Sequence, residues 1–203
     1  MAEARGLFVA VEGVDAVGKR TQTSRLKSWL RQRGMTTRTF SFPAYETTIG
    51  MEIRRFLDGK VAYPQQVRAM LYAANRWEKK AELEAALSRT DVLIVDRYSG
   101  SNFAYGVSNG LELDWLMSLE SGLPEPDLTL LLDAPLARLT PRRGTKDSYE
   151  RNMDLQEGAR KAYLELAARF GWTVVDANRG IDETGEAIRE AVAKALGVRG
   201  RTV

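Results

Sequence analysis

The chain has 203 residues, 44% of them hydrophobic and 28% charged, with a formal net charge of +3. That is enough apolar residue to bury one sizeable core, and it excludes a disordered chain. Neither cysteine nor histidine occurs; this excludes disulfides, thiolate metal sites and every Ser-His or Cys-His nucleophile, so any chemistry rests on carboxylates, Lys, Arg, hydroxyls, backbone N–H groups and a metal.

The segment Met1 to Gly6 has no signal-peptide layout. No apolar run approaches the roughly 18 residues of a spanning helix, so no membrane partner and a cytoplasmic location are expected. Leu7 to Val11 reads as a buried strand, and Lys19 to Arg33 as a helix stopped by Gly34. A strand over Thr36 to Phe42 and a helix over Ile49 to Leu57 follow. Pro64 suits a first helical position, and one long helix is expected from there to about Leu87. Val92 to Asp96 and Leu128 to Asp133 are strands that each end in a carboxylate. Tyr149 to Phe170 reads as a long helix, Thr173 to Asp176 as a short strand, and Ile188 to Leu196 as a closing helix. Five short, continuously apolar strands separated by helices predict an α/β fold in three layers, a parallel sheet covered on both faces, in a single domain over 1–203. Ligands of such sheets bind beyond the carboxyl ends of the strands.

The first such end carries a phosphate-binding pattern. Gly13-Val14-Asp15-Ala16-Val17-Gly18-Lys19 matches G-x-x-x-x-G-K between a strand and a helix. Its N–H groups and the helix N-terminus suit a phosphate, and Lys19 would reach the β- and γ-phosphates of a triphosphate. The usual Ser or Thr after the lysine is Arg20 here. Two adjacent cations at the positive end of a helix are unfavourable unless an anion binds. Arg20 is therefore read as a second phosphate ligand, and Mg²⁺ as held by phosphate oxygens, water and a nearby carboxylate. Thr21 lies one place too far along to be the usual magnesium ligand.

Asp96-Arg97-Tyr98 follows the third strand. Asp96 can orient metal-bound water and Arg97 can bridge two phosphates, as phosphoryl transfer requires. A capping aspartate and a surface arginine would give the same tripeptide. Tyr72 and Arg76, four apart, share a helix face that suits a flat heterocycle. Trp29, Trp77 and Trp115 read as core, and Glu78 as the partner of a neighbouring cation. The basic residues are dispersed, without the dense aromatic-interleaved stripe of a nucleic-acid surface. Arg138, Arg142, Arg143 and Lys146 make the loop over about 138–148 a candidate cationic lid on ATP, although a solvated loop would look alike.

Taken in order, Glu12-Gly13-Val14-Asp15, Gly18-Lys19, Thr21-Gln22, Phe42-Pro43, Ala74-Asn75-Arg76-Trp77-Glu78, Asp96-Arg97-Tyr98 and Gly122-Leu123-Pro124-Glu125-Pro126-Asp127 resemble the motifs of the thymidylate kinases. The resemblance covers roughly residues 7 to 176. It implies a homodimeric P-loop enzyme that phosphorylates dTMP to dTDP with ATP and Mg²⁺, by direct transfer without a covalent intermediate. It implies that Asp15 accepts a hydrogen bond from the acceptor's 3′-hydroxyl, that Phe42, beside Pro43, stacks on thymine with Tyr72 on its other side, and that Arg76 binds the base edge. Arg97 would bind the acceptor phosphate with help from Tyr45, Ser101 and Asn102 would contact the base, and Tyr105 would leave no room for a 2′-hydroxyl. The family draws an arginine either from the P-loop or from the lid. Ala16 occupies the P-loop position, so Arg142 or Arg143 is implied, with Arg143 preferred. Tyr149 and Glu150 resemble the start of the helix after the lid. Another nucleoside monophosphate or deoxynucleoside kinase and a non-catalytic nucleotide-binding protein remain the alternatives. A GTP switch lacks its Asn-Lys-x-Asp motif.

Overall fold

The structure is a computed structural model that describes residues 5–139 and 153–200. Five strands, β1 (Leu7–Glu12), β2 (Thr37–Ser41), β3 (Val92–Asp96), β4 (Leu128–Asp133) and β5 (Thr173–Asp176), form one sheet in the order β2-β3-β1-β4-β5. Every pairing is parallel. All six residues of β1 are buried. Side chains of a strand point alternately to opposite faces. Leu7, Val9 and Val11 accordingly enter one apolar cluster, and Phe8 and Ala10 another. Val92 and Ile94 of β3 join the first, Leu93 and Val95 the second. Both faces are thus covered, and the expected three-layer α/β arrangement with five parallel strands is what the chain adopts.

Helices α1 (Lys19–Gln32), α7 (Met153–Phe170) and α8 (Ile181–Val198) contribute to the larger cluster, which holds Leu26, Leu30, Tyr163, Leu166, Ile188 and Val192. Gly34, at φ +76°, ends α1 as the sequence predicts. Helix α2 (Thr48–Leu57) starts at Thr47, whose hydroxyl accepts from the Gly50 N–H at 3.0 Å.

The predicted helix from Pro64 to Leu87 is two helices, α3 (Gln65–Glu78) and α4 (Lys80–Arg89). Pro64 precedes the first of them in extended conformation. The break at Lys79 lets α3 bury Ala69, Ala73 and Arg76 toward the site, while α4 turns Leu83, Ala86 and Leu87 onto the sheet. No Gly or Pro announces it; a tertiary demand for two differently directed faces sets it. Helices α5 (Ser99–Ser108) and α6 (Leu113–Glu120) were not expected. The first is rich in Ser, Gly and Asn, which weakens any periodic signal, and the second spans only 8 residues, too few to show a clear period. The closing helix begins at Ile181, seven residues before its predicted start, with the Glu183 carboxylate accepting from the Gly180 N–H at 3.1 Å. Trp29 and Trp115 pack against the core as expected, but Trp77 is 41% exposed. Among the described residues no helix is long and apolar enough to cross a membrane.

Candidate active site

The carboxyl ends of β1 and β3 meet at one point, because Val11 is in register with Asp96. The loop leaving β1 needs unusual backbone angles: Gly13 lies at φ +139°, Ala16 at +63° and Gly18 at +99°. A Cβ at Gly13 would come within 2.4 Å of the Leu132 carbonyl oxygen. Only glycine fits there, so the chain can turn sharply enough to point its amides inward.

Lys19, the first residue of α1, folds back across this loop. Its ammonium donates to the Gly13 and Val14 carbonyls at 2.9 and 2.6 Å. Burial, with the Arg97 charge nearby, pushes its pKa down to about 7, although Asp15, Asp96 and Glu12 oppose the shift. Arg20 and Thr21, one and two residues on, are exposed. Asp96 presents a buried carboxylate oxygen, Oδ1, that has no hydrogen-bond partner. Among the described residues no group of three or more carboxylates could hold a metal ion by itself. An ion here would have to draw most of its oxygens from a bound phosphate and water, and the orphaned Asp96 oxygen fits that coordination.

Arg97 adopts φ +64°, a costly angle for a non-glycine residue and one that concentrates at functional sites. Its main-chain N–H donates to Val11 O at 2.9 Å. Its guanidinium donates to Gly13 O at 3.1 Å, to Ser101 Oγ at 3.2 Å, and to the Asp15 carboxylate. Burial alone would raise the Asp15 pKa; the Arg97 and Lys19 charges outweigh it and hold the carboxyl below its usual range. The second Asp15 oxygen accepts from the Gln156 amide at 2.9 Å, and the Gln156 carbonyl oxygen accepts from Asp15 N–H and from the Tyr105 hydroxyl at 3.2 and 3.1 Å.

A concave cleft opens beside this ion pair, with the aromatic walls and few convergent polar groups typical of small-ligand sites. Phe42, Pro43 and Tyr45 from the loop after β2, and Tyr72 and Arg76 from α3, line one part of it. Arg97, Ser101, Asn102 and Tyr105 line the other, with Asp15 at the P-loop end. All ten residues expected to bind the acceptor therefore share one cavity. Ser101 differs in detail: its hydroxyl is engaged by Glu12 at 2.7 Å, by Tyr163 at 2.8 Å and by Arg97, so it stands with the arginine rather than at a base. Arg138 lies exposed in the short turn Leu136–Arg138 after β4. Arg142, Arg143, Lys146, Tyr149 and Glu150 lie outside the described residues.

Several supporting residues escaped the sequence reading. Glu12 is fully buried at the end of β1 and accepts from Tyr98 N, Ser101 N, Ser101 Oγ and Tyr163 Oη at 2.7–3.1 Å. It thereby fixes the turn that carries Arg97. A carboxylate closing an apolar strand, as at Asp96, was its signal. Asn75 donates to Thr47 Oγ1 at 2.8 Å and accepts from Ala44 N at 2.7 Å, tying α3 to the loop that holds Phe42. Glu78, expected to pair with a cation, instead accepts from Thr47, Ile49 N and Asn75. Glu120, at the end of α6, makes a bidentate ion pair with Arg76 through Nε at 2.8 Å and through Nη2. Burial works against the Arg76 charge, but this carboxylate prevails and raises the pKa of the guanidinium. Neither Gln156 nor Glu120 had a local signal, since each reaches the site from a helix distant in sequence.

A strand–glycine loop–helix unit with a buried lysine, next to a cleft whose walls are aromatic and whose polar groups converge, has the layout of a kinase for a small phosphorylated acceptor. Comparison with known proteins agrees. The family model described as thymidylate kinase matches residues 11–188. The thymidylate kinase of Homo sapiens is 34% identical over 208 aligned positions, covering 97% of this chain and 98% of its own. A probable thymidylate kinase of Pyrococcus abyssi is 36% identical, with 95% and 98% covered. The solved thymidylate kinase of Candida albicans superposes with a TM-score of 0.82 at 28% identity, over 97% of this chain and 93% of its own. The chain belongs to the thymidylate kinase family.

Proposed function

We propose that this enzyme transfers the γ-phosphoryl group of ATP to the 5′-phosphate of dTMP, giving ADP and dTDP. The observation that carries this reading is the placement of Arg97. It bonds the P-loop through Gly13 O and Asp15, and it also lines the cleft formed by Phe42, Tyr72, Arg76 and Asn102. One guanidinium therefore stands between the donor cradle and the acceptor cavity. An acceptor phosphate oxygen attacks the γ-phosphorus, and the bond to the β–γ bridging oxygen breaks, leaving its electrons on ADP. No protein nucleophile takes part. Lys19 and Arg97 neutralise charge on the transferring group, as positioned cations suffice for this chemistry. Asp15 receives the acceptor's 3′-hydroxyl, and the Tyr105 ring walls the adjoining sugar pocket. Arg20 adds a second cation for the phosphates. Mg²⁺, with Asp96 as its one protein carboxylate, would neutralise charge on the β- and γ-phosphates.

The reading places the enzyme in the cytoplasm and makes it a homodimer. Met51 of α2, Met70 and Trp77 of α3 and Met117 of α6 are exposed apolar side chains on three neighbouring helices, and a symmetric pair would cover them. A coupled ADP-release assay with dTMP, dUMP, dCMP, AMP and thymidine tests the activity. Turnover is expected with dTMP first, dUMP next, and none with thymidine, which lacks the phosphate that Arg97 holds. Sedimentation of the same preparation is expected to give twice the chain mass. No turnover with any acceptor would refute the kinase reading, and a monomer would refute the dimer.

A further inference from the structure

We propose that Glu120 is the positioning residue that makes the acceptor cleft selective for a 4-oxo pyrimidine over a 4-amino pyrimidine. The proposal rests on the kinase reading above and concerns how its site reads the base. Glu120 sits at the C-terminal end of α6, 9% exposed, and touches two cleft-lining residues. With one carboxylate it takes Arg76 through Nε and Nη2, and with Oε1 it also accepts from Asn102 Nδ2 at 3.0 Å. The other partner of Asn102 Nδ2 is Ala69 O, at 3.2 Å. Arg76 and Asn102 are themselves 2% and 5% exposed.

These bonds decide polarity. A carboxylate and a main-chain carbonyl can only accept, so the end of the Asn102 amide lying between them is the NH₂. The end left for the cleft is the carbonyl oxygen, an acceptor. Arg76 has two of its nitrogens committed to Glu120, and the nitrogen left over, Nη1, is a donor. The cleft thus offers a donor beside an acceptor. A 4-oxo pyrimidine carries an acceptor (O4) beside a donor (N3–H) and matches both groups. A 4-amino pyrimidine carries a donor beside an acceptor, so it meets donor with donor and acceptor with acceptor. Sites built on buried polar groups reject such mismatches far more strongly than apolar pockets reject a change of size. Without the carboxylate only the longer bond to Ala69 O holds the amide in this sense. A glutamine at position 120 could donate to the Asn102 oxygen and stabilise the reversed amide.

The test is kcat/KM for dTMP, dUMP and dCMP in the wild-type enzyme and in Glu120→Gln, with melting temperatures alongside. The wild-type enzyme is expected to prefer dTMP to dCMP by about 10³-fold or more. In Glu120→Gln that ratio is expected to fall at least tenfold, through a higher KM for dTMP. The dTMP-to-dUMP ratio, kcat and KM for ATP should stay within about twofold. Should Glu120→Gln not fold, Glu120→Asp carries the same test. A carboxylate drawn back by one methylene can hold Arg76 or Asn102 but not both, so the ratio still falls, by about threefold. A ratio unchanged in the folded variant, with all acceptors reduced in proportion, would overturn the proposal while leaving the kinase reading intact. A wild-type enzyme inactive on all three would overturn both.

Discussion

Replacing Lys19 by methionine is expected to lower kcat by about 10²–10³-fold, the loss that follows removal of one preorganised cation from a transition state, without lowering stability. The two halves of this expectation have one cause. In the free protein the ammonium is buried against the Gly13 and Val14 carbonyls and beside Arg97, and burial takes its pKa from 10.5 down to about 7. A bound phosphate supplies the opposite charge that the free site lacks, so the same lysine favours the loaded state over the empty one. The sign follows for pH. Below pH 7 the lysine is protonated folded and unfolded alike. Between about 7 and 10.5 only the unfolded chain keeps the proton, so this group makes the free enzyme more stable as pH rises through that window. Melting temperatures between pH 7 and 10 should show the slope in the wild-type protein and a flatter curve in Lys19→Met. Titration calorimetry of ATP at pH 8, in two buffers of different ionisation enthalpy, should show proton uptake that the variant lacks. Arg20→Thr provides the companion measurement. It is expected to raise KM for ATP about tenfold if Arg20 grips the phosphates, and an unchanged value would remove it from the site. Wild-type-like turnover by Lys19→Met would refute the role given to the P-loop.

Arg97→Ala is expected to cost about 10³-fold in kcat/KM for dTMP and about 1–3 kcal/mol of stability. Loss of one member of a fully buried ion pair costs about 3–5 kcal/mol; here the side chains of Arg97 and Asp15 retain 17% and 23% of their exposure, so solvent screening reduces the figure. The variant has a diagnostic pH response. Asp15 lies below the usual carboxylate range because the Arg97 and Lys19 charges outweigh its burial. Taking Arg97 away leaves burial in command, and the Asp15 carboxyl titrates higher. The acid limb of the kcat/KM profile should then move to higher pH. Arg97→Lys should restore stability more than activity, because a single ammonium cannot reach Gly13 O, Ser101 Oγ and the Asp15 carboxylate together. Adding Asp15→Asn to Arg97→Ala should recover stability and none of the activity. An unmoved acid limb would refute the coupling of the two residues.

Much of this site is legible in the chain because its parts are local. A glycine loop ending in lysine between an apolar strand and a helix suits an anion through its own local geometry, so Gly13 to Lys19 could be read without coordinates. Asp96 and Arg97 follow from the same logic, since a strand that ends in charged residues delivers them to the ligand edge of a parallel sheet. The break at Lys79 was not legible. Residues 64–89 have helical propensity throughout, and only the need to face Arg76 to the cleft and Leu83 to the sheet divides them. The helices over 99–108 and 113–120 were lost for other reasons: the first has poor propensity of its own and is held by packing against α3 and α7, and the second is only 8 residues long and is held against α3 and α5.

The sequence by itself determined the layered sheet, the phosphate cradle and a face suited to a flat heterocycle, because continuous apolar runs, glycine angles and side-chain chemistry are properties of short segments; the kind of acceptor came from the family resemblance of its motifs. The tertiary structure alone decided which groups hold those residues in place. Glu12 under Arg97, Gln156 across Asp15 and Tyr105, and Glu120 behind Arg76 and Asn102 lie between 18 and 141 residues from the residues they fix. A buried carboxylate or amide is stable only where the fold brings it donors and acceptors to satisfy, and sequence spacing carries no record of which distant helix will bring them.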